Sequence, residues 1–390
     1  MKKIILLTAV FPMLLTACTK QDNISYDDKS TPQSEAVTAY IQEIEHLHPD
    51  DGNKSYTPLN YDQQIGMWFP YMHYEKYMQG KSAEEFRSAV RELYTSAKSQ
   101  SVNTVYLHVH PCGDAYYKSD IFPKGIILDG DYDPLQIMLE EAHSLELSVH
   151  AWINPLRFQS TEQMSQLSDD FIVKKWTETP DCGIVRQVNG RWYLNPAYNE
   201  VAELISSGVE EILSRYEVDG IHIDDYFYPT TDPEFDKAEF EKSGSSDLAK
   251  WRMENCTRFV KAIYDTVKEK DKRILFGISP QGSINGNYNS QYADVRLWGG
   301  TKGYCDYIVP QIYFGFKNES SPFDKTLAEW EALTNDDISL IIGLGAYKIG
   351  KSDKWAGAGG EQEWIDDPNI IEKQIELVKK STANGYSLYY

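Results

Sequence analysis

The stretch Asp219-Gly-Ile-His-Ile-Asp-Asp-Tyr-Phe-Tyr-Pro229 is a short apolar run that changes abruptly into acidic and aromatic residues. Side chains alternate along a strand, so its two isoleucines are predicted to face surrounding helices while His222 and Asp224 face a barrel axis. Asp224 then stands at the carboxyl end of the strand, where barrel enzymes commonly carry catalytic residues. Asp225 begins the next loop, and the alternative interpretation of this pair is a turn or a helix cap.

The rest of the chain repeats this alternation of short apolar runs with helical patterns. Eight runs are predicted as strands: Ile65–Phe69, Thr104–Val109, Ser148–Ile153, Gly220–Asp224, Leu275–Ser279, Tyr307–Gln311, Ser339–Gly345 and Tyr386–Tyr390. The clearest helical patterns are Ala83–Lys98, Pro134–Leu145, Val201–Tyr216, Trp251–Lys270 and Ile370–Thr382. Strands that alternate with helices pair in parallel, and eight such units predict an α/β fold, a single (β/α)8 TIM barrel. The alternative, a doubly wound open sheet, lacks a Gly-rich phosphate-binding turn after its first strand.

Four of the loops that follow strands are long, covering residues 110–132, 154–200, 225–250 and 280–305. In a barrel these loops build the active face. The sequence therefore predicts a large, shaped site at the carboxyl ends of the strands.

The first residues predict a targeting signal. Lys2 and Lys3 precede an apolar stretch over residues 4–15 that is too short to span a bilayer. It ends in Leu-Thr-Ala-Cys18, which is similar to a bacterial lipobox. Cys18 is therefore predicted to be the lipid-modified mature N-terminus.

Three segments follow from this interpretation: a lipoprotein signal peptide over residues 1–17, a polar tether with a possible short helix over 18–57, and the barrel domain over 58–390. The tether is rich in polar residues, as expected of a link between lipid and domain. The predicted location is the cell envelope, anchored to the extracytoplasmic side of a bacterial membrane through the Cys18 lipid.

The chain is strongly acidic, with 38 Lys and Arg against 59 Asp and Glu, a net charge of −21. Such a field repels phosphate backbones, so no nucleic-acid partner is predicted. The cysteines beyond Cys18 show neither CxxC pairing nor zinc-ligand spacing. Accordingly, no metal and no cofactor are predicted.

A glycan is the predicted substrate because aromatic and polar residues cluster where the predicted strands end. Aromatic rings stack on the apolar faces of sugars while polar neighbours bind the hydroxyl groups. The candidate aromatic residues are Trp68, Trp152, Tyr226 and Tyr313, and the candidate polar residues are His108, His110, Asp114, Asn154, Arg157, His222, Gln281 and Gln311. Each aromatic residue has an alternative interpretation as part of the barrel or loop core.

Hydrolysis of a glycosidic bond usually needs two carboxyl groups. Asp224 is the first candidate, and Asp225 and Asp294 are predicted as its partners ahead of Asp114. No Glu stands at the end of the fifth predicted strand, which ends in Gly277-Ile-Ser-Pro280. His222 is predicted to orient Asp224.

A competing hypothesis comes from His108-Val-His110 at the end of the second predicted strand. Alternation would put both imidazoles on one side, near His150 on the third strand. Some metal-dependent hydrolases hold zinc in this way. The alternative is that these histidines are hydrogen-bonded residues of the barrel interior that also contact substrate.

Several motifs together resemble the glycosyl hydrolase-like 10 family. They are Val218–Pro229, Asp306–Tyr313 and Val149–Arg157, with support from Gly277–Pro280, Tyr292–Trp298 and Asp131–Leu135. The resemblance covers roughly residues 60–390 and implies a barrel-fold, carbohydrate-active envelope lipoprotein that acts on peptidoglycan or another polysaccharide. It also favours Asp224 as the central carboxylate. The family usually has Lys or Arg where His110 stands and Trp where Phe314 stands.

The sequence thus predicts a surface-anchored glycoside hydrolase that uses a carboxylate-based mechanism. One alternative is a non-catalytic glycan-binding barrel lipoprotein, which the missing Glu on the fifth strand favours. A second alternative is a metal-dependent hydrolase that uses His108, His110 and His150.

Overall fold

A computed structural model describes residues 37–40, 42 and 56–390. The predicted signal peptide, Cys18 and most of the predicted tether lie outside the described residues. Residues 37–40 and 42 are helical, and Val37 is buried in the core. The Tyr40 hydroxyl donates a hydrogen bond to the Ile121 carbonyl at 3.2 Å. A short helix therefore lies in the segment where the sequence predicts one.

Eight parallel strands close into a barrel, which confirms the predicted (β/α)8 fold. The strands of the chain are β1 (Gln64–Phe69), β2 (Thr104–His110), β3 (Ser148–Ile153), β4 (Arg157–Ser160), β5 (Val185–Val188), β6 (Arg191–Leu194), β7 (Gly220–Ile223), β8 (Leu275–Ile278), β9 (Tyr307–Ile308), β10 (Ser339–Leu344) and β11 (Gly385–Leu388). The barrel order is β1-β11-β10-β9-β8-β7-β3-β2. Strand β9 is shorter than predicted, since beyond Ile308 only Gln311 bridges to its neighbours.

Helices alternate with these strands. They are α1 (His73–Met78), α2 (Ala83–Ser99), α3 (Pro134–Ser144), α4 (Thr161–Ser165), α5 (Ile172–Glu178), α6 (Asn199–Arg215), α7 (Lys237–Ser243), α8 (Leu248–Lys270), α9 (Ile284–Gln291), α10 (Val295–Gly300), α11 (Phe323–Leu333), α12 (Glu363–Asp366) and α13 (Ile370–Val378). Helix α2 begins with a capping box, in which Ser82 and Glu85 satisfy each other's backbone amides. Among the described residues, none of these helices has the length and apolar character needed to cross a membrane.

The segment 154–200, predicted only as a long loop, folds into a small antiparallel sheet of order β4-β6-β5 with helices α4 and α5. It packs at the carboxyl end of β3 and forms one wall above the barrel. Because β4 follows β3 almost directly, Arg157 is held close to the mouth of the barrel.

The predicted alternation of β7 is confirmed. Ile221 and Ile223 are fully buried in the large core between strands and helices. His222 points the other way, into an inner layer where its ring stacks on Tyr106 with centroids 4.3 Å apart. The interior of the barrel is therefore a packed aromatic and histidine layer, not a pore.

A buried ion pair anchors the loop that follows β7. The Arg252 and Asp236 side chains are both fully buried, and the guanidinium donates to the Asp236 carboxylate from Nε at 2.9 Å and from Nη2 at 2.6 Å. The same guanidinium donates to the Asp232 carbonyl at 2.7 Å and to the Tyr292 hydroxyl at 3.1 Å. Helix α8 thus holds the loop at several points at once.

Candidate active site

A cavity of about 310 Å³ opens at the carboxyl ends of the barrel strands. Its walls are largely aromatic, and two adjacent carboxylates lie among them. The lining residues are Trp68, Pro70, Tyr71, Met72, His108, Trp152, Asn154, Arg157, Asp224, Asp225, Tyr226, Gln311, Tyr313, Tyr347 and Tyr389. The four aromatic residues predicted to bind substrate all lie in this cavity, as do the predicted polar residues His108, Asn154, Arg157 and Gln311.

Asp224 follows the last residue of β7 and is 4% exposed. The Trp152 indole donates to its Oδ2 at 3.0 Å, and the Tyr226 backbone amide donates to its Oδ1 at 3.2 Å. Each carboxyl oxygen thus accepts one hydrogen bond from a group fixed by the fold. These contacts give Asp224 a defined orientation toward the cavity.

Asp225 lies beside it and is held from the opposite wall. The Gln311 amide donates to Asp225 Oδ1 at 3.4 Å, and the Gln291 amide donates to the Asp225 backbone carbonyl. Gln311 also donates to the Ser279 carbonyl at 3.0 Å, so its position is set by the end of β8. Both carboxylates follow β7, and the neighbouring end of β8 positions the Gln311 that contacts Asp225, so the two carboxylates lie in one cavity.

The two carboxyl groups perturb each other's protonation. Burial raises the pKa of Asp224 well above its usual range, and the neighbouring charge of Asp225 raises it further. Burial also raises the pKa of Asp225, against the hydrogen bonds of its backbone and of Gln311 and Gln291, which lower it. Two close carboxyl groups share a proton more readily than both ionise. The pKa values of both groups are raised, which favours a state in which the pair holds one proton.

His108 contributes an uncharged imidazole ring to the wall of the cavity. Its ring stacks on Trp152 with centroids 3.6 Å apart and an interplanar angle of 9°. Both ring nitrogens are buried, and Asn154 is the polar side chain beside them. Burial lowers the pKa of His108 well below its usual range, so the ring is uncharged at neutral pH.

The open side of the cavity carries an exposed aromatic residue. Tyr226 is 41% exposed, and the Arg157 guanidinium lies over its ring at 4.6 Å from the centroid. On the far side Tyr313 stacks on Tyr389 with centroids 6.0 Å apart. Flat rings on both sides and donors between them form a cleft suited to a ring with apolar faces and polar edges, such as a sugar.

Sequence reasoning missed five lining residues: Pro70, Tyr71, Met72, Tyr347 and Tyr389. They follow the carboxyl ends of β1, β10 and β11. The rule that found Trp68 and Tyr313, an aromatic residue at or just beyond a strand end, could have found the three tyrosines as well.

His222 does not line the cavity, and its hydrogen bonds join it to the layer below. The Trp68 indole donates to His222 Nε2 at 3.3 Å, so His222 carries its proton on Nδ1 and donates to the Tyr307 hydroxyl at 3.0 Å. Tyr307 then donates to His150 Nδ1 at 2.6 Å. The prediction that His222 binds substrate and orients Asp224 is corrected, since Trp152 and Tyr226 hold that carboxylate.

The prediction that His110 shares a face with His108 is wrong. The pairing of β2 with β3 shifts between the two residues, so His108 pairs with Trp152 and His110 with Ile153. This irregularity turns His110 into a small apolar pocket, where its ring lies 4.2 Å from that of Phe122.

Two of the predicted carboxylates also lie outside the cavity lining. Asp294 caps α10 by accepting from the Leu297 amide at 3.2 Å, and it accepts a hydrogen bond from Tyr288. Asp114 is buried behind the site and accepts from the Cys112 amide at 3.0 Å, while burial raises its pKa to about 6. The structure therefore places only Asp225 beside Asp224. Gln281 lines a second, neighbouring cavity.

The histidines of the metal hypothesis are separated in the same way. His108 faces the cavity, His110 the apolar pocket, and His150 the inner layer. Within residues 37–40, 42 and 56–390 no three His, Cys, Asp or Glu side chains are grouped so as to hold a metal ion. The structure thus gives the metal-dependent alternative no ligand set in the part of the chain it describes.

The barrel and its cavity define a glycoside hydrolase-like TIM-barrel protein. Residues 66–359 match the family described as glycosyl hydrolase-like 10, and the chain belongs to that family. It is 32% identical over 337 residues to glycosyl hydrolase YngK of Bacillus subtilis, covering 77% of this chain and 63% of that protein. The chain therefore spans less than two thirds of the Bacillus relative. It is also 32% identical over 311 residues to glycosyl hydrolase DigH of Escherichia coli K12, covering 71% of this chain and 69% of that protein.

Solved structures share the fold. The glycoside hydrolase domain of PgaB (BpsB) from Bordetella bronchiseptica superposes with a TM-score of 0.55 at 14% identity, covering 84% of this chain and 93% of that domain. An alpha-L-fucosidase of Paenibacillus thiaminolyticus gives a TM-score of 0.55 at 14% identity, covering 84% of this chain and 46% of that one. At this identity the similarity concerns the barrel alone.

Proposed function

We propose that the protein hydrolyses glycosidic bonds with the Asp224–Asp225 pair. The observation that carries this proposal is the pair itself: two adjacent carboxyl groups in an aromatic-lined cavity at the carboxyl end of the barrel. Membership of a glycosyl hydrolase-like family supports it. Burial of Asp224 among Trp152 and Tyr226 supplies the raised pKa that a general acid needs near neutral pH.

The proposed roles follow from the protonation of the pair. Asp224 donates its proton to the leaving-group oxygen as the glycosidic bond breaks. Asp225, ionised and held by Gln311, stabilises the positive charge that develops at the sugar carbon and serves as base or nucleophile. His108 and Arg157 bind the sugar hydroxyls, and Trp68, Trp152, Tyr226 and Tyr313 provide the stacking surfaces.

The proposed substrate is the glycan of peptidoglycan or another polysaccharide. Purified residues 19–390 would be incubated with peptidoglycan glycan strands, chitin oligosaccharides, xylan and mannan, and products read by mass spectrometry. Products with new reducing ends support the proposal and name the substrate class. Glycan binding without products from any of them would instead favour the non-catalytic glycan-binding protein.

The hydrolysis rate should depend on pH as a bell shifted toward neutral pH. On the acidic side the rate falls as Asp225 takes up a proton, and on the alkaline side it falls as Asp224 loses its proton. Both limbs lie at higher pH than for ordinary carboxyl groups, because burial raises both pKa values. In Asp225→Asn, the alkaline limb of the residual activity should move to lower pH, since the neighbouring charge is gone. An unchanged alkaline limb in a kcat/KM profile would contradict the assigned coupling.

We also propose that the protein is anchored to the extracytoplasmic face of a bacterial membrane through Cys18. Support comes from the lipobox-like sequence ending at Cys18 after an apolar stretch. Expression of the full chain in a bacterium with an alkyne-labelled fatty acid should label the protein and leave it in the membrane fraction. Cys18→Ser should lose the label, and a label retained in that variant would refute the anchor.

A further inference from the structure

A second cavity of about 540 Å³ lies next to the first. Amide and hydroxyl groups make up much of its wall, among them those of Gln281, Ser283, Asn285, Asn318 and Ser320. Such groups donate and accept hydrogen bonds without net charge, as sugar hydroxyls require.

The two cavities share their dividing wall. Tyr313 lines the first cavity, and the next residue, Phe314, lines the second. Likewise, Tyr347 lines the first cavity and Lys348 lines the second. The Lys348 ammonium donates to the Tyr313 carbonyl at 2.7 Å, which ties the two halves of the wall together. The second cavity therefore lies on the other side of this wall from the first.

The second cavity carries an exposed tryptophan. Trp355 is 91% exposed, the highest value among the large hydrophobic side chains of the described residues. Its backbone amide donates to Asp353 Oδ1 at 3.2 Å, and Lys348 donates to Asp353 Oδ2 at 2.8 Å. The indole is therefore displayed by a turn that is fixed to the dividing wall.

Further hydrogen bonds hold this turn rigid. The Asp353 amide donates to the Glu361 carbonyl at 2.9 Å, and the Glu319 amide donates to the Ala356 carbonyl at 2.9 Å. Gly357 has a φ of +78°, and a Cβ there would lie 2.3 Å from the Glu319 carboxyl carbon. The backbone that carries the indole is thus fixed, so stacking a ligand on Trp355 orders only its side chain.

We propose that the second cavity is a glycan-binding subsite in which Trp355 stacks a sugar of the chain being cleaved. This inference rests on the proposed function and extends it: the enzyme holds several sugars on one side of the cleaved bond. Lys348 is paired with Asp353, and Glu329 also lines the cavity, so the site suits uncharged sugar units more than anionic groups.

The test compares kcat/KM for glycans of graded length. The probes are β-1,4-linked N-acetylglucosamine oligomers of about two to eight sugars and size-fractionated peptidoglycan glycan strands. Trp355→Ala should lower kcat/KM for long chains about threefold to tenfold, as expected for one lost aromatic stack. It should leave short oligomers unaffected. Trp355→Phe should restore most of the loss.

Ile365→Ala is the matched control, since Ile365 is 46% exposed and does not line the cavity. Equal length dependence in wild type and Trp355→Ala overturns the subsite alone, whereas absence of products from every glycan overturns the proposed function. Acrylamide quenching decides the subsite even without turnover. The emission of Trp355 is the part of the wild-type emission that Trp355→Phe lacks. Bound long glycan should protect this emission from acrylamide, and full quenching of it in the presence of the glycan refutes the subsite.

Discussion

Asp224→Asn should reduce turnover roughly 10²- to 10⁴-fold, the range for loss of a general acid. The amide oxygen can accept the hydrogen bond of either Trp152 or Tyr226, since the amide nitrogen only donates, and the amide cannot deliver a proton to a leaving group. Steady-state kinetics on the glycan that wild type cleaves would measure the loss. Full activity in the variant would remove Asp224 from the mechanism.

The matched control is Asp294→Asn, which changes a carboxylate that the sequence also nominates but that caps α10. It should keep its activity and lose about 1 kcal/mol of stability at most. Asp224→Asn should stay folded and, above neutral pH, melt no lower than wild type. A carboxyl group whose pKa is raised on folding stabilises the protein below its unfolded pKa, and this contribution is lost as pH rises through the folded pKa. The amide of Asp224→Asn does not ionise, so the variant does not lose this stability as the pH rises.

Asp236→Ala should lower the free energy of unfolding by about 3–5 kcal/mol, because it leaves the fully buried Arg252 guanidinium without its counter-charge. Urea unfolding followed by tryptophan emission would measure the change. Lys237→Ala is the control: its ion pair with Glu234 is exposed at 54% and 67%, and its loss should leave the urea midpoint close to that of wild type.

A double variant, Arg252→Met with Asp236→Ala, separates the ion pair from simple packing. It removes both charges, so it should be more stable than Asp236→Ala alone. If the double variant is the less stable of the two, the guanidinium contributes mainly through its bonds to Asp232 and Tyr292.

The barrel could be predicted because each strand is a local apolar run bounded by polar residues. Strand β3 lies at Ser148–Ile153 as predicted, and β7 ends one residue before the predicted Asp224. Asp224 could be placed in the site for the same reason, since a strand end is a local feature. The small sheet of segment 154–200 could not, because its short strands pair with each other across a loop and show no long pattern.

The errors at the site have physical causes beyond local sequence. His110 leaves the cavity because the pairing of β2 with β3 shifts, and pairing between strands is not written in either strand alone. Asp294 is different: an Asp directly before a helix is a capping signal, which was available from the sequence. Gln311 lies between Asp225 and Ser279 because β8 and β9 are neighbours, which only the closed barrel reveals.

The hydrogen-bonded layer beneath the carboxylates is uncharged at neutral pH. Trp68 donates to His222, His222 donates to Tyr307, and Tyr307 donates to His150. Each of these hydrogen bonds therefore has one fixed donor. Burial lowers the pKa of His150 to about 4 and that of His222 well below its usual range, so neither ring becomes charged at neutral pH. The hydrogen bonds that reach the Asp224 carboxyl group come from Trp152 and Tyr226 and not from this layer, so we expect the layer to exchange no proton with that group. Whatever proton Asp224 gives up or regains must pass through the open mouth, by way of the bound sugar or the water that replaces it.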